Sequence, residues 1–254
     1  MESSLERNIE SDCIVLTSKK WGAMHKRVTL LSKELGLFDA IIYGGQKGKL
    51  SSASESCTPL LAYLYYVRSK EEYTLKDVTI SYDIDNIKGD LTRHYTSQAC
   101  VEIILKMHGG DYSELYDLLL SSILLLNEID VTPMNVLIQY MYRVIGIMGL
   151  MSDLHICSLC DNPYKEEEIV YVHPIQNIFC CTRCFDEASE PYKVRFSPGM
   201  MRYLRFTHHL SIQEAVKVVL SEAATKKIVY ALVDYMNIIL GYSLKSLMKS
   251  FLLI

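Results

Sequence analysis

The sequence predicts an α+β chain in which a small β-barrel precedes an α-helical domain. Three observations carry this. Five short apolar or alternating segments lie between residues 12 and 82. Helical periodicity takes over from Gln98 onward. A cluster of five cysteines, from Cys157 to Cys184, interrupts the helices, a spacing unlike an evenly spread disulfide framework.

The strand candidates are Cys13 to Thr17, Val28 to Leu31, Phe38 to Tyr43, Leu60 to Val67 and Val78 to Tyr82. Turn signals at Gly44-Gly45 and Gly48 punctuate them. Five short strands in about 70 residues suit a small barrel or sandwich. In the fourth strand, alternation puts Tyr63 and Tyr65 on one face and Tyr66 on the other, a packing use of tyrosine.

After Asn86 the texture changes. Gln98 to His108 reads as a helix closed by Gly109-Gly110. Ser113 to Ile129 is apolar on most sides, as a core helix is. Thr132-Pro133 opens the next helix, since proline is tolerated in a first turn. Helices resume near Ser197-Pro198-Gly199 and run, with breaks, to Ile254. The expected domains are therefore 1–84, the barrel, and 85–254, helical with a cysteine-bearing insertion at about 155–186.

Composition limits the function. Of 254 residues, 50% are hydrophobic, ample for a packed core. The formal net charge of −4 excludes a uniformly basic nucleic-acid binder but allows a local basic patch. The first residues carry no basic-then-apolar signal pattern. The longest apolar run, Val136 to Met151, is broken by Gln139 and Arg143, so a buried helix is expected and no membrane association. A cytoplasmic setting follows, where clustered thiols point to a metal.

Cys157-x-x-Cys160 and Cys181-x-x-Cys184 are separated by 20 residues, the spacing of a four-thiolate zinc site. Four sulfurs leave no open coordination position, so one structural Zn2+ is expected. Cys180 competes with Cys181 for the third position, and the two-residue gap favours Cys181. His155 and His173 read as surface or hairpin histidines rather than substitute ligands. A zinc deaminase would need His-x-Glu and Pro-Cys-x-x-Cys, and neither is present. Of the remaining cysteines, Cys13 and Cys100 fit as small core hydrophobes and Cys57 falls in a loop.

The second chemical signal is charge. From Cys13 to Leu50 there are seven basic residues against Glu34 and Asp39, a local net of +5. Lys19, Lys20, Lys26, Arg27, Lys47 and Lys49 fall at turns or strand ends, where they can meet phosphates. Trp21, the only tryptophan, and Tyr43 lie among them, as stacking residues do in single-strand binders. The competing reading is a solvated charged face with Trp21 packed on the barrel. Gly44 to Ser51 is not a phosphate loop, because Tyr43 and Leu50 occupy the required glycine and hydroxyl positions. No catalytic constellation emerges from spacing.

The order of parts resembles the RecO family of DNA recombination and repair proteins. The carrying segments are Ile14 to Thr17 with Trp21-Gly22, Arg27 to Leu31 with Gly36-Leu37, Tyr43-Gly44-Gly45 to Leu50-Ser51, and both CxxC pairs. Ser197-Pro198-Gly199, Arg202-Tyr203-Leu204, Leu240-Gly241-Tyr242 and Leu244-Lys245-Ser246 continue it, so nearly the whole chain is covered. The resemblance implies an N-terminal OB-fold that binds single- and double-stranded DNA, and annealing of complementary strands. It implies a non-enzymatic mediator that works with RecR, and with RecF and RecA as further partners, on DNA coated by single-strand-binding protein, whose acidic C-terminal tail it contacts. It also implies a bacterial, nucleoid-associated location. Two places depart from the family pattern: Ala23-Met24-His25 after Trp21-Gly22, and lysines rather than arginine after Gly44-Gly45. Lysine keeps the charge and loses the bidentate fork, which makes binding more salt-sensitive. The rival readings are a zinc-containing interaction adaptor whose barrel does not bind DNA, and a zinc enzyme, which needs an open coordination position.

Overall fold

The computed structural model describes residues 8–44, 50, 54–173, 175–185 and 194–250, with side chains up to residue 247. Lys47 and Lys49, two of the expected DNA contacts, lie outside the described residues.

Five strands form, four of them over the expected segments and the fifth starting six residues before the expected Val78 and ending at Ile80: β1 (Asn8–Trp21), β2 (His25–Ser32), β3 (Gly36–Ile42), β4 (Pro59–Val67) and β5 (Glu72–Ile80). They close into a barrel in the order β1-β2-β3-β5-β4, the five-stranded architecture of an OB-type domain. Closure comes from the parallel pair β3–β5, through Ala40↔Tyr73 and Ile41↔Thr74, and from antiparallel β1–β4. Closing the ring gives each of the five strands a neighbour on either side, β3 and β5 meeting over two residue pairs. Alternate side chains fill the interior, among them Cys13, Val15, Val28, Leu30, Leu60 and Leu64. The β2–β3 turn ends at Gly36, whose φ of +71° suits glycine, and a β-carbon there would meet the Tyr112 ring at 3.1 Å.

One irregularity in β1 governs everything beyond it. Val15 pairs with Leu30, but the next pair is Thr17 with Thr29, so Leu16 is an extra residue in the ladder. A bulge of this kind shifts the face of every later side chain in the strand. Before it, Cys13 and Val15 point into the core. After it, Ser18 and Lys20 take the inner side, opposite Val28 and Lys26, and Thr17, Lys19 and Trp21 face outward. The segment preceding β4 braces the bulge: Ser56 Oγ donates to the Leu16 carbonyl at 2.7 Å, Cys57 N–H to the Val15 carbonyl at 2.8 Å, and Val15 N–H to the Thr58 carbonyl at 3.0 Å. Cys57 adopts φ +67° in making that contact, a strained conformation for a residue with a β-carbon.

By contact the chain divides into two compact units, Met1–Val101 with Asp111–Asn127, and Glu102–Gly110 with Glu128–Ile254. In the first, α1 (Asp85–Gly89), the start of α2 (Leu91–Lys106) and α3 (Tyr112–Asn127) accompany the barrel. α2 begins seven residues before the expected Gln98, because Asp90 caps it by accepting the Arg93 N–H at 2.8 Å. α3 buries Leu115, Leu119 and Ile123, packs on β2 and β3, and is tied by Asp117 to Lys33 at 2.6 Å.

The second unit is built on α4 (Pro133–Ile147) against α7 (Glu222–Leu240), with α5 (Pro198–Thr207), α6 (Ile212–Ala215) and α8 (Lys245–Ser250). The polar interruptions of α4 are accommodated inside: Gln139 Nε2 donates to Tyr203 Oη at 2.8 Å and to Thr207 Oγ1 at 3.1 Å, and Arg143 donates to the Leu210 carbonyl. The helix starts follow sequence signals. Ser197 precedes Pro198, Ser211 and Glu214 make a capping box, and Ser221 caps α7, which ends at left-handed Gly241. A small sheet, ordered β7-β6-β8, holds β6 (Val170–His173), β7 (Ile178–Cys180) and β8 (Val194–Phe196). Its Phe179 and Phe196 pack edge-on and meet Tyr235 of α7. Among the described residues, no helix is long and apolar enough to cross a membrane.

Candidate nucleic-acid interface and metal centre

The β1–β2 hairpin gathers four of the expected DNA-binding cations by ladder pairing. Lys19 stands opposite Arg27, Lys20 opposite Lys26, and Trp21 opposite His25. Like charges directly across a strand pair repel. Two such pairs on successive rungs, one on each face of the hairpin end, form an arrangement that phosphate anions relieve. Lys19, Lys20, Trp21 and Arg27 are exposed, and Lys26 Nζ lies 2.7 Å from Ser54 Oγ.

Trp21 does not pack into the barrel. Its side chain is 47% exposed, and the Arg27 guanidinium carbon sits 5.0 Å from its ring centroid. Arg27 is itself held by Asp39, whose Oδ2 accepts from Nε at 3.0 Å and pairs with Nη2 at 2.9 Å. Thr29 donates to the other Asp39 oxygen at 2.6 Å. His25 accepts the Gly44 N–H on Nδ1 at 3.1 Å and meets the Tyr43 ring edge-on at 5.0 Å. Asp39 and His25 escaped the sequence reading. The clue to His25 was its mirror position to Trp21 across the Gly22–Met24 turn.

The other candidate centre joins two knuckles. Sγ atoms of Cys157, Cys160, Cys181 and Cys184 all lie within 4.8 Å of one another. Cys160 and Cys181 sulfurs are 3.9 Å apart, close to the roughly 3.8 Å edge of a tetrahedron with 2.3 Å metal–sulfur bonds. Backbone N–H groups of Leu159 and Cys181 donate to Cys157 Sγ, at 3.5 and 3.4 Å, as they do around thiolates. Hydrogen bonding from Asn162 holds the Cys160 thiol down at about 6, while Cys160 and Cys181 push Cys184 up to about 12. Four sulfurs this close cannot all lose their protons unless a cation offsets the charge. The donor set therefore fits one metal ion.

Cys180 is not among the four. It is buried in β7, directly opposite Tyr171. His155 and His173 are also outside the group; His173 is buried in β6 and His155 is exposed. Cys13, Cys57 and Cys100 are buried, and burial raises all three thiols, Cys13 to about 12.

Comparison with known proteins covers both units. The family model for the N-terminal part of recombination protein O matches residues 6–82, and that for its C-terminal part matches residues 88–248. The chain is 27% identical over 246 residues to the DNA repair protein RecO of Bacillus pumilus, covering 94% of this chain and 91% of that protein. It is 28% identical over 239 residues to the RecO of Bacillus velezensis, covering 92% and 90%, and 22% identical over 219 residues to that of Acetivibrio thermocellus, covering 85% of each. Closed barrel, helical region, cysteine group and matched segments agree in order and extent, and the chain belongs to the RecO family of DNA repair and recombination proteins.

Proposed function

We propose that the protein is a recombination mediator that binds single- and double-stranded DNA through its barrel and anneals complementary strands. With RecR it helps load RecA onto DNA covered by single-strand-binding protein, touching that protein's C-terminal tail, and RecF is a further partner. Annealing changes no covalent bond. It requires two strands held close with their charge neutralised, so no catalytic residue is invoked. The barrel domain (1–84) acts through Lys19, Lys20, Lys26 and Arg27, with Lys47 and Lys49 on the following segment. The helical domain (85–254) carries Zn2+ on Cys157, Cys160, Cys181 and Cys184, where a closed four-thiolate ion fixes the fold of the insertion and does no chemistry.

The observation that carries this reading is the pairing of Lys19 with Arg27 and Lys20 with Lys26 at an exposed hairpin end. A fold does not retain opposed cations for its own stability. Fluorescence anisotropy with a labelled single strand, titrated against salt, is the test. Binding at low salt that weakens when Lys19, Lys20 and Lys26 become alanine supports the mediator. Absence of binding at low salt favours an interaction adaptor that keeps the barrel and the metal but has no DNA surface.

A further inference from the structure

We propose that the end of the β1–β2–β3 sheet is a stacking platform for unpaired bases, anchored by Trp21 and positioned by Asp39, so that it takes single-stranded in preference to duplex DNA. The proposal rests on the DNA-binding reading above and adds a strand preference and new residues to it. Its basis is a row of rings. Trp21 of β1 is opposite His25 of β2, and Lys26 is opposite Ile42 of β3. Continuing that register by one residue brings Tyr43 beside His25, where the rings meet at 5.0 Å. Three rings from three neighbouring strands thus cross one end of the barrel. Trp21 and Tyr43 are 47% and 53% exposed, apolar surface left in water beside a cluster of cations. The Gly44 N–H on Nδ1 leaves the His25 proton on Nε2 and fixes its ring.

Arg27 has a second role here. Its Nε and Nη2 are both engaged by one Asp39 oxygen, and its guanidinium lies over the Trp21 ring. A phosphate reaching Arg27 must compete with a carboxylate already seated on the fork. Arg27 therefore presses on the indole and fixes its plane, and Lys19, on the same face of β1, meets the backbone of the strand. Asp39 acts through Arg27 as a positioning residue. Bases in a duplex have both faces covered by neighbours and their edges paired. Only an unpaired base can lay a face on the exposed side of the indole.

Trp21 is the only tryptophan, so its emission reports this platform without a label. The full chain is titrated with three DNA ligands of equal length: oligothymidylate, the same backbone lacking bases, and a duplex. Anisotropy reads binding and tryptophan quenching reads stacking. Oligothymidylate is expected to quench and to bind about tenfold more tightly than the abasic strand, the abasic strand to bind without quenching, and Trp21→Ala to remove the difference. Asp39→Asn adds a net positive charge. A purely electrostatic tip would then bind all three ligands more tightly with quenching unchanged. The platform instead predicts that the ratio of thymidylate to abasic affinity falls toward one and quenching shrinks. Arg27→Lys, which keeps charge and loses the fork, is expected to do the same. Equal affinity for thymidylate and abasic strands overturns the platform and leaves DNA binding standing. Binding of none of the three at low salt overturns both. An unchanged ratio in both Asp39→Asn and Arg27→Lys removes Asp39 from the proposal.

Discussion

Lys20 in β1 stands directly opposite Lys26 in β2, two cationic residues on one rung of an antiparallel pair, with Lys26 Nζ held by Ser54 Oγ at 2.7 Å. Such a pair opposes folding and favours anion binding, so one substitution should move the two properties in opposite directions. Lys20→Ala is expected to raise stability without DNA by about 0.2–1 kcal/mol. It is also expected to reduce the salt slope of single-strand binding by about 0.7. Urea midpoints and salt titrations of the same preparation measure both. A destabilised variant with unaltered binding would assign Lys20 to the fold.

The metal centre separates two adjacent cysteines. Cys181→Ser removes a sulfur from the group of four, and Cys180→Ser changes a buried strand residue facing Tyr171. We expect Cys181→Ser to lose stoichiometric zinc and to melt well below the parent, since a structural zinc site contributes on the order of 10 kcal/mol to local folding. Cys180→Ser should keep its zinc. Metal analysis and thermal melts decide, and full zinc in Cys181→Ser would discard the four-thiolate assignment.

Gly36→Ala tests the β2–β3 turn. Alanine disfavours φ +71°, and its β-carbon would lie 3.1 Å from the Tyr112 ring of α3, inside ordinary contact distance. The expected loss is about 1–2 kcal/mol in a urea titration. Gly22→Ala has the strain of φ +63° without a neighbour within 4 Å, so it should lose less. Equal losses at the two sites would show that the Tyr112 contact yields freely.

Glu102 supplies a pH dependence. Its carboxylate accepts N–H groups of Lys245 at 3.1 Å and Ser246 at 2.8 Å, the first turn of α8. Partial burial raises its pKa, but the hydrogen bonds from Ser246 and Lys245 outweigh burial and leave it below the ordinary 4.5. A carboxyl held lower in the folded state contributes its stability above pH 4.5 and loses it as pH falls through the folded value. Hydrogen exchange of α8, corrected for intrinsic rates, should show protection at pH 7 that declines in acid. Glu102→Gln should lack that protection already at neutral pH. Protection that is the same in both proteins would mean that α8 is held by Leu244 and Leu247 alone.

The barrel was legible in the sequence because its chemistry is local. Alternation at Val28, Leu30 and Ala40 marks a half-buried strand wherever it occurs. The zinc knuckles were legible for the same reason, since two residues between cysteines set the geometry of a loop. The early start of α2 was not. Leu91 to Ser97 has little apolar periodicity, and its helix begins from the Asp90 cap and the contact of Arg93 with the Leu126 carbonyl at 2.8 Å. Nor was Asp39. It stands in β3, twelve positions from Arg27, and only strand register brings the two together. The sequence pattern puts the basic residues at turns or strand ends. Lys19, Lys20, Lys26 and Arg27 converge as rungs of a ladder instead, because β1 continues to Trp21.

The extra residue at Leu16 gives the β1–β2 hairpin something like a reading frame with a period of two. Removing one residue between Leu16 and Trp21, with the bulge kept, would turn Trp21 toward the inner side, whereas removing Leu16 itself would only straighten the ladder and leave Trp21 outward, opposite His25. Removing two would shorten the hairpin and leave its faces as they were. Changes of length beyond the bulge are therefore graded by parity before size, and the cheaper of two deletions there is the larger one.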